Sequence, residues 1–326
     1  MTFKPLSLAA CAVALSLPLS SHALNILLTN DDGLTANTRA LQAALVAAGH
    51  DVVVSVPCQN QSGKGASVNF LAPITPLAKA CRNNAAPAGA PGVGPIAGLS
   101  NAHYVDGTPV MATLYGLDVL ATQRWGQAPD LVISGPNEGQ NLGAIVISSG
   151  TVSNAQFALG RGIPAIAVSA DTDTTANEAL AAEVATMTVK VLKGLSQHKG
   201  GRALLPDGLG LNVNFPKFAV GTSGALPWKV SRFGNFNSYD VRFVADLSQD
   251  PTAAALGLGS VRLPGVTIAT RTAADATRET DPRSEALLSV QGHVTLTPMQ
   301  MGYEAPVFAR ELLGVRLKGL FERPSR

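Results

Sequence analysis

Residues 25–33 read Asn25-Ile26-Leu27-Leu28-Thr29-Asn30-Asp31-Asp32-Gly33. The first five are aliphatic and bounded, the pattern of a strand buried on both faces. Asp31 and Asp32 fall just past its C-terminal end, the edge at which open α/β sheets bind ligands. Two adjacent carboxylates repel each other and raise each other's pKa unless a cation lies between them. Oxygen ligands of this kind suit a hard divalent ion such as Mg²⁺ or Mn²⁺. Gly33 lets the chain turn away sharply. The same residues also read as a plain polar turn with Asp32 capping a helix, so the partners further along decide between the two.

Working outward, residues 35–48 carry Leu41, Leu45 and Ala48 at helical spacing and stop at Gly49. Asp51 to Pro57 is a second aliphatic strand. Strand, helix and strand make one βαβ unit, with a parallel sheet and a right-handed crossover. No G-x-G-x-x-G follows the first strand, so a dinucleotide site is not indicated. Gln59 to Gly65 leaves the second strand at the same edge and offers the Ser62 hydroxyl, the Gly63 backbone and the Lys64 ammonium. Residues 66–107 form an extended excursion, and the Ala/Pro/Gly-rich 83–98 reads as a flexible surface loop. Thr108-Pro109 starts a helix to about Arg124. Pro129 to Ile133 is a further buried strand, and residues 134–143 bring Asn137 and Asn141 to the common edge. Ser149-Gly150-Thr151 opens a helix to about Leu159, with free N–H groups and the positive dipole end suited to an anion. Its other reading is ordinary capping. A strand over 164–169, a helix over 175–195 and a strand over 209–215 follow. Beyond 216 the punctuation indicates an antiparallel appendage and a terminal arm over 306–320. The four histidines past residue 23 show no metal-ligand spacing.

The chain has 326 residues, 14% of them charged, and a formal net charge of +2. That balance gives no electrostatic footprint for a nucleic-acid polymer. Lys4, the apolar Leu6 to Leu19 and Ser21-His22-Ala23 describe a secretory signal peptide cleaved after Ala23. A retained anchor fits less well, because the apolar run falls short of the ~20 residues a span needs. Leu8-Ala9-Ala10-Cys11 resembles a lipoprotein processing site but leaves almost no apolar region before it. The expected compartment is periplasmic or extracellular, with no membrane contact after cleavage. Cleavage leaves Cys58 and Cys81, an even pair that an oxidising compartment favours joining; two separate buried thiols are the alternative.

Taken together, N-D-D-G at 30–33, Q-S-G at 61–63, S-G-x-N at 134–137, N-L-G at 141–143 and S-G-T-V at 149–152 closely resemble the SurE family of survival-protein nucleotidases. Residues 105–109, 162–169, 212–216, 280–281 and 294–300 match its pattern too. The resemblance implies a Rossmann-like three-layer α/β/α fold with a mostly parallel sheet, a core over about 24–215, and a β-rich extension with a C-terminal arm over 216–326. It implies one divalent metal per subunit, held by Asp31, Asp32, Ser62 and Asn137. Asn30, Gly63, Asn141, Ser149, Gly150 and Thr151 would lie around the phosphate or substrate. It implies a homodimer or homotetramer, joined through a hairpin and an exchanged C-terminal segment. The chain departs from the family at Glu138, where a basic residue is usual, at Ala144 and Ile145, at Cys58 and in the 83–98 insertion.

The activity this implies is hydrolysis of nucleoside 5′- or 3′-monophosphates to nucleoside and phosphate, with Asp31 and Asp32 catalytic. One carboxylate orients or deprotonates the attacking water, or attacks directly to form an aspartyl-phosphate. A nucleotide or phosphate binding protein without turnover, and a broad acid phosphatase, are the alternatives.

Overall fold

The computed structural model describes residues 23–198, 204–234, 236, 239–271, 279–303 and 307–318. The signal-peptide segment 1–22 lies outside the described residues. In chain order the elements are β1 (Asn25–Thr29), α1 (Ala36–Ala47), β2 (Asp51–Pro57), β3 (Val93–Pro95), β4 (Ala102–Val105) and α2 (Pro109–Tyr115). A π-helical turn (Gly116–Leu120) leads to α3 (Ala121–Trp125), β5 (Leu131–Glu138), α4 (Gly150–Gly160), β6 (Ala165–Ala170), α5 (Glu178–His198) and β7 (Leu209–Asn214). The remainder holds β8 (Trp228–Val230), β9 (Tyr239–Val244), α6 (Pro251–Ala253), β10 (Gly265–Thr270), α7 (Glu285–Val290), β11 (Val294–Gln300) and α8 (Val307–Arg316).

The main sheet runs β3-β4-β2-β1-β5-β6-β7-β11-β8. From β4 to β7 it is parallel, and only β3 and β11 pair antiparallel to their inner neighbours. β1 sits centrally, with Ile26 opposite Val52 of β2 on one side and Leu131 of β5 on the other. The chain goes from β1 out to β2 and β4, then returns to β5 on the far side. The strand order therefore reverses at β1, the point at which open α/β sheets bind ligands at their carboxyl edge.

Alternation along β1 builds the three layers. Ile26 and Leu28 pack with Leu41 and Leu45 of α1 and Val184 and Leu192 of α5. Leu27 faces the opposite way, into Leu117, Leu120, Val152 and Ala155. Each of the valine, leucine and isoleucine side chains contributes about 1.5–3 kcal/mol by leaving water. β9 and β10 form a separate antiparallel hairpin, while β8 and β11, also from the stretch expected as an appendage, join the main sheet.

Five details differ from the sequence expectation. β5 does not stop at Ile133: after a register shift between Ser134 and Asn137, pairing with β6 resumes at Asn137–Ser169 and Glu138–Ala170. The helix over 108–124 is interrupted by the π-helical turn, and α5 begins at Glu178 after a short 3₁₀ turn over Thr172–Thr175. The 83–98 stretch is not a loose surface loop. It buries Ala85, Ala86 and Ile96 in the core and supplies β3, while β4 follows it. A Cys58–Cys81 disulfide anchors its start to the end of β2. Finally, α1 is capped by Thr35, whose hydroxyl accepts from Thr38 N–H at 3.1 Å, and not by Asp32.

Candidate active site

The site is built on the turn after β1. The Asn30 side chain closes that turn: its amide donates to Gly33 O at 2.7 Å and to Thr38 Oγ1 at 2.9 Å, and its oxygen accepts from Gly33 N–H at 3.1 Å. Gly33 has φ +84°, and a Cβ there would lie 2.9 Å from Pro57 O. Only glycine satisfies both conditions. With its ends fixed in this way, the turn holds Asp31 and Asp32 at the carboxyl edge of β1, both almost fully buried.

Asp31 Oδ1 accepts from the Thr151 hydroxyl at 2.5 Å, and the same hydroxyl lies 3.0 Å from Asn137 Oδ1. Asn137 Nδ2 is committed to Gly139 O at 2.7 Å, which turns its oxygen toward that cluster. Three oxygens from the turn after β1, from β5 and from α4 thus converge with one hydroxyl proton among them, and a single proton satisfies one acceptor at full strength. Asp32 is held separately. Its Oδ1 accepts from Asn60 Nδ2 at 3.1 Å and its Oδ2 from Glu138 N–H at 2.9 Å.

Electrostatics follow from burial. Desolvation pushes the Asp31 carboxyl above its ordinary value, partly offset by hydrogen bonds from Thr151 and from the backbones of Asp31 and Gly150. Desolvation first, and the neighbouring Asp31 second, push Asp32 up to about 8. A divalent cation reverses both effects at once, by neutralising the pair and supplying the missing partner to the oxygen cluster. The donor set of carboxylates, an amide oxygen and a hydroxyl is hard and fits Mg²⁺ or Mn²⁺. Among the described residues no group of three or more His, Cys, Asp or Glu side chains is arranged to hold a metal.

The remaining expected residues divide. Gly150 and Thr151 begin α4 against Asp31. The Ser149 hydroxyl caps that helix by accepting from Val152 N–H at 3.1 Å. Ser62 and Gly63 lie on the exposed rim, where the Ser62 N–H bonds Asn60 Oδ1 at 2.8 Å and Gln61 N–H bonds Asp31 O at 2.8 Å. Among the described contacts none joins the Ser62 hydroxyl to the oxygen cluster. Asn141 turns inward: its amide donates to Ser169 Oγ at 2.9 Å, and its carbonyl accepts from Asn212 and Asn214.

Three residues were not expected here as site residues. Asn60 adjoins the Q-S-G motif, and only its contact with Asp32 reveals it. Arg82, next to Cys81, donates to Asp32 O at 2.9 Å and pairs with Glu138 at 2.7 Å. Glu285 is fully buried behind the N-L-G loop, accepting from Gly143 N–H at 2.8 Å and Asn212 Nδ2 at 3.2 Å. Arg82 and Glu285 lie far in sequence from the motifs they support, and no local pattern announces either.

A family model described as Survival protein SurE matches residues 26–238. The chain is 32% identical to the 5′-nucleotidase SurE of Solidesulfovibrio magneticus, over 85% of this chain and 91% of that protein. It is 32% identical to the 5′/3′-nucleotidase SurE of Edwardsiella ictaluri, over 86% of this chain and 92% of that protein. It is 37% identical to an acid phosphatase of Yarrowia lipolytica over 62% of this chain, and the match spans only 59% of that protein's length. Among solved structures, a SurE protein from Aquifex aeolicus superposes with a TM-score of 0.64 at 27% identity, covering 91% of this chain and 99% of that one.

Proposed function

The chain belongs to the SurE family, and from that premise we propose that it is a metal-dependent phosphomonoesterase hydrolysing nucleoside 5′- or 3′-monophosphates to nucleoside and phosphate. The observation that carries this reading is the proton-poor oxygen cluster of Asp31, Asn137 and Thr151 at the sheet's reversal point. Asp31, Asp32 and Asn137, joined by Ser62 from the rim, hold one divalent ion. When bound, the ion supplies Lewis-acid stabilisation of the charge that develops on the phosphate. The N-terminal turn of α4, with Ser149, Gly150 and Thr151, orients the phosphate. Asp31 and Asp32 are the candidate bases for the water that attacks. The test is a panel of 5′- and 3′-monophosphates and a simple aryl phosphate, with Mn²⁺, Mg²⁺ or EDTA. Activity on the nucleotides that EDTA leaves untouched would exclude the metal role.

A broader acid phosphatase is the second reading, favoured by the 37% identity to the Yarrowia lipolytica enzyme. It predicts comparable rates on the aryl phosphate and the nucleotides, whereas a nucleotidase favours the nucleotides.

We also propose export. The N-terminal pattern and the Cys58–Cys81 disulfide support it. Mass spectrometry of the protein purified from its source checks it, and a retained Met1–Ala23 segment would count against it. The proposed homodimer or homotetramer is supported by the exposed Phe243 and Val266 on the β9–β10 hairpin and by Phe308, Leu313 and Val315 on α8. Light scattering decides it, and a monomer at all concentrations would contradict it.

A further inference from the structure

A charged pair stands against the catalytic turn that the hydrolytic reading does not use. The Arg82 guanidinium donates through Nη1 to Asp32 O at 2.9 Å and through Nη2 to Glu138 Oε2 at 2.7 Å. The Glu138 backbone N–H donates in turn to Asp32 Oδ2 at 2.9 Å. Asp32, Arg82 and Glu138 therefore form a closed ring of three contacts around one catalytic carboxylate.

Arg82 reaches the ring on a braced strap. The Cys58–Cys81 disulfide fixes the preceding residue, and Arg82 N–H bonds Cys58 O at 2.8 Å. Gln59 Nε2 bonds Ala80 O at 2.8 Å, and Asn83 Nδ2 bonds Leu34 O at 2.7 Å on the far side of the turn. The strap crosses the D-D-G turn and is held at both ends.

The side chain of Glu138 is only 10% exposed, and its charge adds to those of Asp31 and Asp32. Unpaired, it would be a third negative group facing an incoming phosphate, and juxtaposed like charges are costly in a water-poor site. We propose that Arg82 is a positioning residue of the phosphate site: delivered by the disulfide strap, it neutralises Glu138 and fixes the Asp32 turn, so that a dianionic phosphate is accepted beside three carboxylates. This inference rests on the phosphomonoesterase reading for its ligand class, but its test does not depend on turnover.

The experiment measures binding of inorganic phosphate to the Mn²⁺-loaded mature protein by calorimetry, alongside KM and kcat for a nucleoside monophosphate. Arg82→Ala weakens phosphate binding and raises KM about tenfold, the size expected of one unpaired like charge. Adding Glu138→Gln to Arg82→Ala restores both to within about threefold of wild type. A role confined to bracing the backbone would not be rescued by removing the charge of Glu138. Wild-type affinity in Arg82→Ala, or no recovery in the double variant with its circular dichroism intact, overturns the proposal. If Arg82→Ala does not fold, Glu138→Gln alone decides: phosphate binding at least as tight as wild type supports the proposal, and weaker binding overturns it. A wild type that binds phosphate but releases none from any monoester defeats the proposed function, and the same binding ratios still judge Arg82. Turnover that is normal in both proteins, with unchanged phosphate binding, defeats the Arg82 proposal alone.

Discussion

Replacing Gly150 by alanine is the sharpest steric probe of the site. A Cβ at this position would lie 2.6 Å from Asp31 Cβ, 3.0 Å from Asp31 Cγ and 2.7 Å from Pro109 Cγ. Comfortable carbon contacts are about 3.5–4.0 Å, so roughly 1 Å of movement is required. Pro109 is a rigid ring at the first position of α2 and is buried, so Asp31 or the start of α4 must yield. Either movement pulls the Asp31 and Thr151 oxygens apart. A displacement of that size at reacting groups costs about 100-fold in rate. Overpacking of about 1–3 kcal/mol also exceeds the gain of about 1 kcal/mol that Gly→Ala brings within a helix. Expected, then, are a kcat/KM about 100-fold lower with saturating Mn²⁺ and a modestly lower Tm. Gly194→Ala is the internal control, because among the described residues nothing lies within 4 Å of its Cβ. It should gain about 1 kcal/mol of stability by helix propensity and keep full activity. If Gly150→Ala hydrolyses nucleotides within twofold of wild type, the packing of α4 against Asp31 does not set the catalytic geometry.

Other outcomes follow from neighbouring groups. Burial pushes the Glu285 carboxyl from the ordinary 4.5 to about 8. Its protonated form is thus favoured in the folded state, and the stability it contributes is complete below about pH 4.5 and lost as pH rises through about 8. In saturating Mn²⁺, Tm should decline across that interval, and Glu285→Gln should flatten the decline; an unchanged slope would show that Glu285 does not titrate there. Reducing the Cys58–Cys81 bridge, which closes a separation of 23 residues, should cost about 3 kcal/mol and roughly 5 °C in Tm. An unmoved melting curve after verified reduction would count against the strap as a stabilising element. Thr151→Val removes the hydroxyl shared by Asp31 and Asn137. It should weaken Mn²⁺ binding about tenfold, in line with losing one charge-assisted contact, and calorimetry showing wild-type affinity would remove Thr151 from the metal's surroundings.

The edge that carries the candidate site was legible because its residues sit at strand ends. Aliphatic runs end at Thr29, Pro57 and Ile133, and the polar residues that follow share one side of a parallel sheet whatever the loop details. The order of the sheet puts its reversal point on that shared edge, at β1. What the sequence hid depends on contacts across the fold. Arg82 follows a cysteine in an Ala- and Pro-rich stretch, and only the disulfide and the strap bring it to Asp32. Glu285 comes about 140 residues after the loop it braces. Asn30 illustrates the opposite case, since it belongs to the N-D-D-G motif yet its side chain is occupied in closing the turn. The extent of β5 was hidden by Gly135-Pro136, which reads as a loop although strand pairing resumes beyond it.

The central claim is that the buried carboxylates of the β1 turn perform metal-dependent phosphate ester hydrolysis. The most direct measurement is phosphate release from a nucleoside 5′-monophosphate by wild type and Asp31→Asn, each with Mn²⁺ and with EDTA. The account predicts release by the Mn²⁺-loaded wild type, none in EDTA, and a loss of about 1,000-fold or more in the variant, as removal of a group central to the chemistry costs. Release that persists in EDTA, or a folded Asp31→Asn protein with undiminished turnover, would contradict it.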